Sequence, residues 1–170
     1  AKNKEITKSF VEALLEEKID SMIINNEKEI TRDKPIDKLG ILDLELDINN
    51  KEKVDVEVQL LKNDEFIHRL LFYWSRIYSK QIHRGDEYTK ARRVVIIAIT
   101  DFEIDITKEL KRMETIWNVR EKENPEKVLT DVFEIRIINL KRVREAYQKD
   151  KDNKKNQWVM FLEDPNSKEV

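Results

Sequence analysis

Residues 92–102, RRVVIIAITDF, carry an apolar run that no polar side chain interrupts between Val94 and Ile99. The run is rich in β-branched residues, too short for a membrane span and without helical spacing. That is the signature of a strand buried on both faces, so the chain is expected to build a sheet covered on both sides.

The flanking segments read as partners for that strand. Residues 4–18, KEITKSFVEALLEEK, set Ile6, Phe10, Val11, Leu14 and Leu15 on one helical stripe. A polar connection, NNEKEITRDKP, follows and is punctuated by Pro35. Two segments of period two come next, ILDLELDI (41–48) and KVDVEVQLL (53–61), joined by a hairpin turn at NNKE. From Glu65 to about His83 the spacing predicts a helix whose apolar face includes Phe66, Leu70, Trp74, Ile77 and Tyr78. Asn63 or Asp64 is expected to cap its start and Gly85 to end it. Beyond the buried run, Ile116 to Arg120 and VFEIRIINL (132–140) read as strands, VREAYQKD as a helix and KDKDNKKNQ as a mobile loop. This order predicts an α/β or α+β arrangement on a mixed sheet, in one domain spanning 1–170.

Composition narrows the chemistry. With no cysteine, disulfides, thiolate catalysis and a cysteine-based zinc site are excluded, and a reducing cytoplasm is the expected compartment. No apolar run approaches the roughly eighteen residues of a membrane span, and AKNKEITKSF lacks a signal-peptide core. Because the chain begins with Ala1 directly on a helical pattern, it is expected to be a truncated piece. Residues 1–61 hold 10 Lys/Arg against 15 Asp/Glu, whereas residues 62–93 hold 8 against 4. An acidic segment followed by a basic one suits a site that holds cations beside a polyanion.

The hairpin alternation sets Leu42, Leu44, Leu46, Ile48, Val54, Val56, Val58 and Leu60 on one face. Asp43, Glu45, Asp47, Asp55, Glu57 and Gln59 share the other. A turn near Asn50 or Lys51 sets Asp43 across from Glu57 or Gln59, and opposed side chains lie about 5 Å apart at Cβ. Two facing carboxylates repel unless a positive charge separates them. Lys53 serves Asp47, but no basic residue on this face of the hairpin falls beside Asp43 and Glu57. A hard cation such as Mg²⁺ would resolve the conflict. The same alternation also fits an ordinary strand pair with a solvated acidic face.

On the helix, Arg69, Tyr73, Arg76, Lys80 and His83 follow spacings of four, three, four and three, one stripe without an acid. Such a stripe can track a phosphate backbone, with Arg69 and Tyr73 nearest the carboxylates, or can be a solvated helix face. His68 and His83 are too sparse for a histidine metal site. Without a G-x-S-x-G elbow or a glycine-rich phosphate loop, a serine nucleophile and a nucleotide cofactor have no support.

The blocks KLGILDLEL, VDVEVQ, FIHRLLFYWSRIYSKQIHRGDEY and RRVVIIAITDF together resemble the PD-(D/E)XK nuclease family transposases, also called recombination-promoting nucleases. VREKEN, LTDVFEIRIINLKR and QWVMFL are similar to that family's later segments. The resemblance implies a restriction-endonuclease-like core of helix, three-strand meander, helix and strand, with additional C-terminal strands and a helix. It also implies metal-dependent hydrolysis of DNA, linked to recombination or transposition. Asp43 matches the metal-binding aspartate and Glu57 the second acidic ligand. Gln59 stands where the wider superfamily usually has lysine, and it can hold a water or phosphate oxygen but supplies no charge.

The expectation is therefore an endonuclease with Mg²⁺ or Mn²⁺ on Asp43, Glu57 and the Val58 carbonyl. Gln59 orients the attacking water, and Arg69, Tyr73 and Arg76 contact DNA phosphates. Glu12 or Glu16 is considered as an outer carboxylate. No membrane partner is expected, and double-strand cutting would call for a homodimer or two successive nicks. The alternative is a nucleic-acid- or partner-binding module on the same scaffold with weakened catalysis.

Overall fold

The structure, a computed structural model, describes residues 2–27, 43–62 and 64–165. Helix α1 (Lys2–Leu15) leads into strands β1 (Met22–Glu27), β2 (Asp43–Ile48) and β3 (Glu52–Gln59). Helix α2 (Phe66–Ser79) crosses over to β4 (Arg93–Thr100). A short helix α3 (Asp105–Lys108), strands β5 (Glu114–Trp117) and β6 (Phe133–Asn139), and helices α4 (Val143–Lys149) and α5 (Lys154–Glu163) complete the described chain. No helix among the described residues is long and apolar enough to cross a membrane.

One six-stranded sheet runs in the order β1-β2-β3-β4-β6-β5. β1, β2 and β3 form the antiparallel meander, β3 pairs parallel with β4, β4 parallel with β6, and β5 antiparallel with β6. This mixed α/β sheet is the architecture of a restriction-endonuclease-like core. The uninterrupted run becomes central β4, and every residue from Val94 to Thr100 is buried.

Two apolar layers lie on opposite faces. On one, α1, α4 and α5 bring Phe10, Val11, Leu14, Val143, Val159 and Met160 onto the aliphatic face of the sheet. There Leu44, Leu46, Ile48, Val54, Val56 and Val58 are all buried. At about 1.5–3 kcal/mol for each fully buried side chain, a register that turned these six outward would forfeit on the order of 10 kcal/mol. On the other face Phe66, Leu70 and Ile77 of α2 pack on Val94, Ile96 and Ala98 of β4 and on Ile135 and Ile137 of β6. Trp74 Nε1 donates to the Val94 carbonyl at 3.0 Å, and Tyr78 stacks on the Trp74 ring. With its apolar side over β4 and β6, α2 leaves its polar flank beside the carboxylate face of β2 and β3.

Several expectations need correction. β1 begins before the polar connection and was not read from residue pattern. Among its described side chains Met22 alone is buried, Ile23 is 62% exposed, and the register slips at Asn25. α2 ends at Ser79, well before His83, because Gln81 leaves the helix to bond the main chain of Arg92 at both N–H and C=O (3.0 and 3.1 Å). Gly85, at φ +92, belongs to the following turn, which is closed by the Asp86 N–H donating to the His83 carbonyl. The residue before α2 is Glu65, which makes no side-chain cap hydrogen bond. Asn63, Pro35, Gly40, Ile41 and Leu42 lie outside the described residues. The stretch KDKDNKKNQ, expected to be a mobile loop, enters α5 at Lys154. Asn153 caps it by accepting from the Asn156 N–H at 3.1 Å, and Lys155, 4% exposed, pairs with Glu114 at 2.5 Å and Glu16 at 3.1 Å.

The polar end of the aliphatic face is bound by charge. Arg136 donates to the Leu14 and Leu15 carbonyls at 3.0 and 3.3 Å, satisfying the open C-terminal end of α1, and pairs with Glu134 at 2.6 Å. Arg93 links Glu134 to Glu52.

Candidate functional site

The hairpin turn fixes the floor of the site. Asn49 and Asn50 both adopt positive φ, 51° and 57°, and the Lys51 N–H donates to the Ile48 carbonyl at 3.0 Å. Two consecutive left-handed residues are what a tight antiparallel turn needs, and asparagine tolerates them better than most side chains. The resulting register sets Asp43 directly across from Glu57, Glu45 across from Asp55 and Asp47 across from Lys53. Of the two partners expected for Asp43, the turn selects Glu57 over Gln59. Asp43 is described through its backbone; its side chain lies outside the described set.

This acidic face is not a solvated one. Asp55 is 6% exposed and Glu57 8% exposed, and the flank of α2 closes over Glu57 through Arg69. Into that groove the first turns of α2 lower Arg69. Its Nη2 makes a close contact with Glu57 Oε1 and donates to Gln59 Oε1 at 2.6 Å. The guanidinium lies 5.9 Å from the ring centroids of both Phe66 and Tyr73, while its Nε has no hydrogen-bond partner. Gln59 Nε2 in turn donates to the Leu61 carbonyl at 3.0 Å, which turns the amide oxygen toward Arg69. The cation that the hairpin does not supply beside Glu57 thus arrives from α2, as helical spacing indicated when it set Arg69 nearest the carboxylates.

Further along the stripe, Arg76 is exposed and lies 5.6 Å from the Tyr73 centroid. At the turn end of the groove Lys53 pairs with Asp47, as expected, and Arg92 joins the same carboxylate at 2.7 Å. Arg92 was not anticipated, since it is 45 positions from Asp47 and only the β3–β4 crossover brings them together. Burial alone would push the Asp47 carboxyl up, but the Lys53 and Asn25 hydrogen bonds and the charges of Lys53 and Arg92 outweigh it. The group is held below the ordinary aspartate value.

Glu12 and Glu16 do not belong to this site. α1 packs on the opposite face of the sheet, where Glu12 Oε1 accepts from the Ile19 N–H at 2.8 Å and Glu16 pairs with Lys155. His68 and His83 are exposed. Among the described residues no three His, Asp or Glu side chains gather to hold an ion. The Glu57 carboxylate, facing the backbone of Asp43 across the hairpin, offers hard oxygens of the kind Mg²⁺ and Mn²⁺ prefer. The guanidinium against Glu57 shows that positive charge is accommodated there.

No curated protein and no solved structure matches the chain. A family model described as PD-(D/E)XK nuclease family transposase matches residues 1–170, which supports a nuclease-like, transposition-related function, and nucleases of this kind generally use divalent metal ions. With its meander, crossover helix and parallel strand in the order that the resemblance implied, the chain belongs to the PD-(D/E)XK nuclease family transposases.

Proposed function

We propose that the protein is a Mg²⁺- or Mn²⁺-dependent DNA endonuclease that hydrolyses phosphodiester bonds in the groove between α2 and the β2–β3 hairpin. One observation carries this reading: Asp43 and Glu57 are direct cross-strand partners in a groove into which α2 lowers a guanidinium. Asp43, Glu57 and the Val58 carbonyl would hold the ion. When bound, such an ion lowers the pKa of a coordinated water and screens charge on the phosphate.

The chain's own residues do the rest. Gln59 orients the attacking water through its amide, whose oxygen side is tied to Arg69 and whose nitrogen side is tied to Leu61. Since glutamine supplies no charge, Arg69 is the cation of this rung, and a phosphate oxygen can take the place of Glu57 on its Nη2. Tyr73 supports the guanidinium by its ring face and, with Arg76, extends the contact along the backbone.

The test is nicking of supercoiled plasmid with and without Mg²⁺ or Mn²⁺, beside Asp43→Ala. Metal-dependent nicking that the substitution abolishes is expected. DNA binding without cleavage would instead favour the weakened binding module, a reading kept by Gln59 at the position where lysine is usual.

A further inference from the structure

The polar flank of α2 continues past its last turn. There Lys80 and His83 line a cavity of about 470 Å³ whose other walls include Lys53, Lys90 and Arg92. Among the described residues Glu45 is the one acidic residue in the lining. The cations are incompletely neutralised. Lys53 and Arg92 share the single carboxylate of Asp47, and Lys90 pairs with Asp86 at 2.9 Å. Lys80 has no ion-pair partner among the described residues. The wall is fixed rather than loose, since the Gln81 amide bonds both main-chain groups of Arg92, and Arg92 Nη1 donates to Asn50 Oδ1 at 3.3 Å.

The cavity lies along the same groove. Four residues separate the Asp43/Glu57 rung from the Asp47/Lys53 rung, which at about 3.4 Å per residue is roughly 14 Å. One DNA strand advances about 3.4 Å per nucleotide along the duplex axis, so the same span is about four nucleotides. We propose that this cavity is a second phosphate subsite, which holds a backbone phosphate about four nucleotides from the one at Asp43 and Glu57. The proposal rests on the nuclease reading above and adds where the strand is gripped. Lys80 makes the direct contact, Lys53 and Arg92 supply the surplus charge, and these three cations outweigh the one carboxylate of Glu45.

Lys80 is exposed and its side chain bonds no other described residue, so its substitution leaves the fold intact. Binding of a fluorescein-labelled DNA duplex is measured by anisotropy across a salt series without divalent ions. The proteins compared are wild type, Lys80→Gln, Lys80→Glu and a control, Lys127→Gln, at an exposed residue of the segment before β6. Losing one phosphate contact is expected to weaken binding roughly three- to tenfold and to flatten the slope of log K against log salt by about 0.9, with a larger loss for Lys80→Glu. Mn²⁺ uptake by calorimetry and the Lys127→Gln slope should both stay at wild-type values. Wild-type slope and affinity in both Lys80 variants would overturn the subsite while plasmid nicking still upheld the nuclease reading. A Lys80-dependent slope in a protein that never cleaves with metal would uphold the subsite and overturn the nuclease. A protein that binds no DNA overturns both.

Discussion

Arg69→Met removes the guanidinium from Glu57 and Gln59 while keeping most of the aliphatic stem. The Arg69 side chain is 27% exposed and that of Glu57 11% exposed, so the lost contact is a charge-assisted hydrogen bond that solvent only partly screens. Such bonds contribute about 1.5–3 kcal/mol, and the exposure of Arg69 argues for the lower half, about 2 kcal/mol. For a chain of this size that is a fall of roughly 4–8 °C in Tm. The same contact must break before a metal ion can take Glu57. The variant should therefore bind Mn²⁺ roughly ten- to thirtyfold more tightly, about 1.4 kcal/mol being one factor of ten. Saturating Mn²⁺ should restore most of the lost Tm, yet plasmid cleavage should fall, because the cation of the Gln59 rung is gone. Calorimetric titration with Mn²⁺ and melts with and without the ion are the assays. Weaker or unchanged Mn²⁺ binding in Arg69→Met would refute the competition between guanidinium and metal for Glu57.

Three further outcomes follow from the same geometry. Gln59→Lys should restore cleavage to an Arg69→Gln protein but not improve wild type, where two cations would crowd Glu57; equal effects in both backgrounds would count against Arg69 as the missing charge. Asp47→Asn should cost about 1–3 kcal/mol at pH 7 by leaving Lys53 and Arg92 without their shared carboxylate. Since the Asp47 pKa is lowered in the folded state, its contribution is present above about pH 4 and lost as pH falls further, so melts of the two proteins should converge below that point. A gap unchanged from pH 7 to about pH 3 would contradict this. Arg136→Met should cost about 3–5 kcal/mol and lower Tm by roughly 10 °C, because the α1 carbonyls lose their donor and half-buried Glu134 is left with Arg93 alone. Arg136→Lys should recover only part, since one ammonium cannot reach both.

The hairpin, its two faces, α2 and β4 were legible because each is written locally, in a period of two, a period near 3.6 or an unbroken β-branched run. β6 and α4 followed by the same signals. β1 was illegible because its inward positions are interrupted by the slip at Asn25, so no clean alternation survives. α5 was hidden by its composition: its buried residues include Lys155 and Asn156, whose burial depends on Glu114, Glu16 and the end of α4. In the site, sequence paired Asp43 with either of two partners and set Arg69 close by. That Glu57 would be covered could not be read from the hairpin itself, because coverage depends on where α2 docks. Arg92 and Glu12 mark the same boundary, since which face of a sheet a helix lands on is a property of the crossover connections and not of the helix.

The pair of left-handed asparagines at the hairpin tip sits six and seven positions from Asp43, roughly 20 Å away at about 3.4 Å per residue. Lengthening that tip by one residue would shift β2 against β3 and exchange its two sides. Leu44 and Leu46 would then enter the groove, and Asp43 and Glu45 would be driven into the aliphatic layer beneath α1. Lengthening it by two adds one residue to each strand, which keeps the sides and leaves Asp43 opposite Glu57. Odd and even insertions at a point remote from any chemistry should therefore part company, the first unfolding the protein and the second leaving it folded with Asp43 still paired to Glu57.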